Sequence, residues 1–182
     1  MVALDPVYTI GAQIAETLAV HDLARGAAAH KRAVELLDAV RIPDAPRRAR
    51  EYPHQLSGGL RQRAMIALAL AAEPQLLIAD EPTTALDVTV QAEILDLLTD
   101  LRRRLALSLL LITHDLGVVA SMADRIAVMY SGQIVETGIT SDVLGSPQHP
   151  YTRALLQSIP GAIHGARLHP ISGVVPTIDA RP

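Results

Sequence analysis

A chain of 182 residues with a formal net charge of −3 and no cysteine excludes much before any motif is read. Disulfides, thiolate nucleophiles and thiolate metal sites are ruled out. The slight acidic balance argues against a phosphate-backbone partner, so no nucleic acid is expected. Hydrophobic residues make up 49% of the chain and mean hydropathy is +0.26, carried by Ala, Leu and Val without any Phe or Trp. That length allows one good core, in one domain or a large part of one. The longest apolar stretch, Leu105 to Ile112, is broken by Ser108 and falls far short of the ~20 residues of a membrane span. No basic segment leads into an apolar run at the start, so a cytoplasmic setting is the expectation.

In chain order, Thr9 to Val20 places Ile10, Ile14 and Leu18 on one helical face, with Thr9 as N-cap. Gly26 to Val40 repeats the pattern through Ala33, Leu36, Leu37 and Val40, and Pro43 and Pro46 should end it. Residues 1–55 thus read as a small helical piece with a solvated Arg47-Arg48-Ala49-Arg50 stretch. A helix is predicted from about Gly58 to Ala72, then a strand Gln75–Ala79. Asp87 to Leu105 carries an apolar stripe of Val90, Ile94, Leu97, Leu98, Leu101 and Leu105. A second strand follows over Leu107–Ile112. Strand, helix, strand with fully apolar strands predicts a parallel sheet covered on both faces, with Leu76–Ala79 interior. A short helix to about Met122 leads to a hairpin of Arg125–Tyr130 and Gln133–Thr137 around Ser131-Gly132. Two short helices close the pattern, one after Ser141 and one over Pro150–Ser158 with proline in its first turn. Beyond Pro160 there is no periodicity, and His164 and His169 read as residues of an extended tail.

Three polar groups carry the chemistry. Ser57-Gly58-Gly59 puts a hydroxyl and two unshielded amides at a helix start, which is either a phosphate contact or an ordinary serine cap. Asp80-Glu81 ends a buried strand, where ligands of open α/β sheets bind. Asp80 would hold Mg²⁺ and Glu81 would polarise a water, unless the pair is a solvated turn. His114 ends the next strand at the same edge; a lone histidine is more often structural, but as the third polar group it is a candidate γ-phosphate sensor. Arg102-Arg103-Arg104 is read as a wet helix face. The phosphate loop G-x-x-x-x-G-K-[ST] is absent.

Leu56-Ser57-Gly58-Gly59-Leu60-Arg61-Gln62-Arg63 resembles the ABC signature motif, with leucine where methionine is frequent. Leu76–Glu81 resembles Walker B, Ala85-Leu86-Asp87 the D-loop, and His114 the switch histidine. More narrowly, Ala3-Leu4-Asp5-Pro6, Tyr52-Pro53-His54-Gln55-Leu56 and His149-Pro150-Tyr151-Thr152-Arg153-Ala154-Leu155-Leu156 resemble ATP-binding subunits of dipeptide/oligopeptide importers. In that family Ala3–Pro6 follows the Q-loop glutamine, so Met1 is expected to lie downstream of Walker A and the Q-loop. Related subunits often continue into a cysteine-bearing segment that carries an iron–sulfur cluster; without cysteine, none is expected here.

The resemblance implies a partial α/β nucleotide-binding domain: parallel strands covered by helices, an N-terminal helical subdomain, and a C-terminal hairpin plus short helices. Its parts would be a helical subdomain (1–56), the signature, Walker B, D-loop and switch-histidine part of an ATPase core (57–138), and an importer extension (139–182). It implies an ATP-binding subunit at the cytoplasmic face of the cell membrane, coupling ATP hydrolysis to peptide import beside transmembrane permease subunits. A second ABC subunit would pair head to tail, sharing ATP and Mg²⁺. Ser57, Gly58, Gly59 and Gln62 would close over the partner's nucleotide and Asp87 would bridge the seam. Glu81 and His114 would act in hydrolysis and Asp80 would hold the metal. The alternative is a non-catalytic fragment offering only a signature surface or an interaction role. A chromosome-maintenance ATPase should show long heptads, and none occur; a ribosome-acting cassette protein should carry two cassettes and a basic surface. Lacking phosphate-loop amides and lysine, this chain alone is expected neither to bind ATP normally nor to hydrolyse it. Isothermal titration with MgATP should give no micromolar binding; such affinity would overturn that expectation.

Overall fold

Short polar side chains start most of the helices, and buried aliphatic rows decide where they pack. The computed structural model describes residues 4–158 and divides the chain into two units, Met1–Ile112 and Thr113–Pro182.

In the first unit, α1 (Ile10–Val20) begins at Thr9, whose hydroxyl accepts the Ala12 N–H at 3.4 Å. Ile10, Ile14 and Leu18 are at most 1% exposed and form its inward row. Gln13 is buried because its side-chain amide closes three hydrogen bonds: it accepts from Asp5 N–H and donates to the carbonyls of Asp5 and Tyr8. Gly11 is required by crowding: a Cβ there would lie 2.8 Å from the Ala49 carbonyl oxygen, which accepts the Gly11 N–H. Next, α2 (Gly26–Ala39) buries Ala33, Leu36 and Leu37 against α1. It stops at Val40, three residues before Pro43, because Arg41 turns into the left-handed region at φ 60°. Pro46 therefore ends nothing. It sits in the first turn of α3 (Ala45–Arg48), where its missing N–H costs no helical bond. The arginine stretch is only partly solvated, since Arg48 is half-buried and pairs with Glu51 at 2.8 Å.

A 3₁₀ turn, Pro53–Gln55, precedes α4 (Gly58–Leu70), which packs on both α1 and α2. Then β1 (Leu76–Asp80), α5 (Val88–Arg104) and β2 (Ser108–Ile112) form a parallel β-α-β unit in the register Leu76↔Ser108 to Asp80↔Ile112. On α5, Ile94, Leu97, Leu98 and Leu101 are at most 2% exposed, but Leu105 has become the C-cap and is exposed.

The strands are not covered on both faces as their composition predicted. Leu77 is buried, but Leu76, Ile78, Leu110 and Ile112 are 47–58% exposed. In the parallel register these four share one face of the two-stranded sheet. Apolar composition states what a face would bury, and only a neighbouring layer buries it.

In the second unit, α6 (Leu116–Met122) is capped by Asp115, whose carboxylate accepts the Gly117 and Val118 N–H groups at 2.8 and 3.2 Å. Strands β3 (Arg125–Tyr130) and β4 (Gln133–Ile139) form the expected antiparallel hairpin, two residues longer at its end than the sequence suggested. Ser131 and Gly132 both have positive φ, 51° and 86°, as a tight two-residue turn demands. A register shift falls between Val128 and Met129. Two helices follow, α7 (Thr140–Gly145) and α8 (Pro150–Gln157), the latter with its proline in the first turn. Glu136 of β4 holds the start of α8 by accepting the N–H groups of Gln148 and His149 at 2.8 and 3.1 Å. The expected tail with His164 and His169 lies outside the described residues. No helix among the described residues is long and apolar enough to cross a membrane.

Truncating Leu97 to alanine should cost about 2–5 kcal/mol in chemical denaturation, while Ile78→Thr on the open face should cost under about 1 kcal/mol. The Gln148 N–H above all, then the nearby Thr152 hydroxyl and the His149 N–H, hold the Glu136 carboxyl below its ordinary range. That hydroxyl meets no partner at full hydrogen-bond geometry. A lowered folded-state value gives stability that is complete above the ordinary glutamate range and is lost as pH falls through the lowered value. The protection of the amides at the start of α8, taken relative to the intrinsic exchange rate at each pH, should therefore fall on acidification, and Glu136→Gln should remove that loss.

Candidate functional site

The recess at the start of α4 is assembled by two capped helix starts. Ser57 has extended φ/ψ and its Oγ accepts the Leu60 N–H at 3.4 Å, so it is an N-cap. As the first two helical residues, Gly58 and Gly59 have no intrahelical acceptor for their N–H groups. Opposite them, Asp87 caps α5 by accepting the Val90 N–H at 3.0 Å. Ser57, Gly58, Gly59, Leu60 and Arg63 form one wall of a recess of about 330 Å³, and Ala85, Leu86, Asp87, Val90 and Glu93 form the other. The positive end of a 13-residue helix thus opens beside two acidic residues, Asp87 and the Arg63-paired Glu93.

The glycines serve packing as well as exposure. A Cβ at Gly59 would stand 2.7 Å from Val90 Cγ1, and one at Gly58 would stand 3.3 Å from Leu86 Cδ2. Gln62, expected beside Ser57, is instead 6% exposed, and its Oε1 has no hydrogen-bond partner among the described residues. It is buried on the face of α4 that also carries Ile66, one turn further along.

Arg63 is the contributor the sequence reading missed. Its guanidinium donates to the Val40 carbonyl at 3.1 Å and to Glu93 Oε2 at 2.9 Å, with its side chain 10% exposed. Helical spacing hinted at it, since Gly59 and Arg63 are one turn apart on α4 and Val90 and Glu93 nearly one turn apart on α5. Which acidic partner would meet it was not legible.

The paired acids stand elsewhere in this unit. Asp80 is the last residue of β1 and is exposed; Glu81 follows, half-buried, its N–H donating to the Ile112 carbonyl at 2.9 Å. Glu81 has φ 47°, left-handed and strained for a residue that carries a Cβ. The Thr84 hydroxyl donates to its carboxylate. Neither acid lines the recess. Among the described residues no cluster of three His, Asp or Glu side chains is arranged for a metal ion. Asp80 therefore fits Mg²⁺ only as one oxygen ligand among others from phosphate and water, the usual way this ion is held. His114 is exposed, two residues beyond β2 in the chain and within the second unit.

A parallel β-α-β core beside a helical layer, with a serine-capped double-glycine helix start, has the fold of part of an ABC-type cassette. Residues 2–84 match the ABC transporter family model, and residues 135–182 match the model of the oligopeptide/dipeptide transporter C-terminal region. The dipeptide transport ATP-binding protein DppD of Haemophilus influenzae is 54% identical across the whole chain, which covers 56% of that protein. Its Bacillus subtilis counterpart is 51% identical across the whole chain, covering 55% of that protein. A solved ATP-binding cassette, dimeric in a post-hydrolysis state with ADP and Pi, superposes with TM-score 0.64 at 33% identity, over 75% of this chain and 59% of that one. The chain belongs to the ABC transporter family and spans about half the length of the curated relatives it matches.

Proposed function

We propose that this chain acts within the ATP-binding subunit of a peptide or dipeptide importer, donating its serine–glycine helix start to a nucleotide held by a second cassette. The observation that carries this reading is the recess itself: two amides without intrahelical acceptors at a helix start that lines it, flanked by Asp87. Ser57, Gly58 and Gly59 would receive the terminal phosphate, and Asp87 would meet the partner across the seam. Gln62, one turn beyond Gly58 on α4, would close over the same nucleotide with them.

Glu81 would orient and polarise the attacking water, its carboxylate already steered by the Thr84 hydroxyl. Asp80 would hold Mg²⁺ together with phosphate and water oxygens, and the ion when bound would neutralise phosphate charge. His114 would support the terminal phosphate. We assign residues 1–56 to permease contact, 57–138 to the ATPase core and 139–182 to the importer extension, with the assembly at the cytoplasmic face of the membrane. The relatives' names, and the dimer seen for the similar cassette, support this reading.

The test is MgATP-dependent association with full-length Haemophilus influenzae DppD, followed by analytical ultracentrifugation. A heavier species should form only with MgATP, and Ser57→Arg should weaken it about tenfold or more, as expected for losing roughly one charge-assisted contact. Sedimentation unchanged by MgATP would leave the chain as an interaction fragment without a nucleotide role.

A further inference from the structure

We propose that Arg63 and Glu93, with the seat of Gly59 on Val90, are positioning elements that lock the start of α4 to the start of α5, so that the two walls of the recess move as one body. Two contacts, about one helical turn apart, tie the helices together. At the first, the missing side chain of Gly59 admits Val90; any Cβ there would press to 2.7 Å on its Cγ1. At the second, Arg63 donates to Glu93 at 2.9 Å and, through its other terminal nitrogen, to the Val40 carbonyl at 3.1 Å.

The geometry makes this more than ordinary packing. Val90 belongs to both structures at once: its amide is the group that Asp87 caps, and its side chain is what Gly59 receives. Displacing α4 therefore disturbs the Asp87 cap directly. Arg63 adds a third anchor, since Val40 is the C-cap of α2 and is fully buried. Its planar fork reaches two acceptors in fixed directions, which a lysine ammonium on a flexible stem would not reproduce. The proposal goes beyond the phosphate reading and stands on packing and hydrogen bonds alone, so failure of nucleotide binding would not touch it.

The experiment is amide hydrogen exchange read by mass spectrometry on the full chain, with a thermal melt beside it. Glu93 is more than half exposed at its side chain, so Glu93→Gln should leave the melting temperature within about 3 °C of the parent. Exchange should nevertheless rise about two- to fivefold in residues 57–61 and 87–91 together, with residues 10–20 unchanged. Arg63→Lys should do the same despite keeping the charge. Gly59→Ala should loosen both starts, and adding Val90→Ala should return both to within about twofold of the Val90→Ala protein. Loosening at only one of the two starts, or at neither, would overturn the coupling. Gly59→Ala left unrescued by Val90→Ala would overturn the seat. Should Gly59→Ala fail to fold, the Glu93→Gln and Arg63→Lys exchange patterns decide alone.

Discussion

The first unit depends on how near α4 can come to α5, and that distance is set by an atom that is not there. Gly59 faces Val90 so closely that a single methyl would overlap it. The helix start with Ser57 and the helix start with Asp87 can therefore face each other across one recess. Within a helix glycine costs roughly 0.5–1 kcal/mol against alanine, because it surrenders more backbone freedom on folding. Here close approach offsets that cost, and the same absence of side chain leaves the amides open to an anion.

The strand end obeys a different constraint. Glu81 takes a left-handed φ that costs on the order of 1–2 kcal/mol for a residue with a Cβ. It is held there by its own N–H on the Ile112 carbonyl and by the Thr84 hydroxyl on its carboxylate. A strained acid fixed at the carboxyl end of a parallel strand is where α/β folds place reacting groups. By contrast, the core that carries this end lies in the helices: Ile10, Ile14, Leu37, Ile94 and Leu97 are the sealed residues, while half of the strand side chains face outward.

Much of the element pattern was legible because it rests on local rules. Thr9, Ser57 and Asp87 cap helices where a short polar side chain precedes an aliphatic row, and Pro150 opens α8 because a helix's first turn tolerates a missing N–H. The misreadings share a cause. Leu105 belongs to the right periodicity, but its helix ends there and nothing covers it. Pro43 and Pro46 look like helix stops, yet Arg41 had already turned the chain. Gln62 sits among residues expected at a surface and is buried, because the rotation of α4 is set by α1 and α2.

What the sequence determined by itself is therefore the chemistry and its order: a serine and two glycines, then two acids at a strand end, then a histidine, at spacings that mark one family. Those spacings hold because hydrogen-bonding rules and side-chain period act over a few residues. Tertiary structure alone decided that Arg63 joins Val40 to Glu93, that Val90 fills the space over Gly59, and that one face of the strands stands open. Each of these joins residues 20 or more positions apart in the chain or depends on a neighbouring layer, and no local pattern encodes a distance across space.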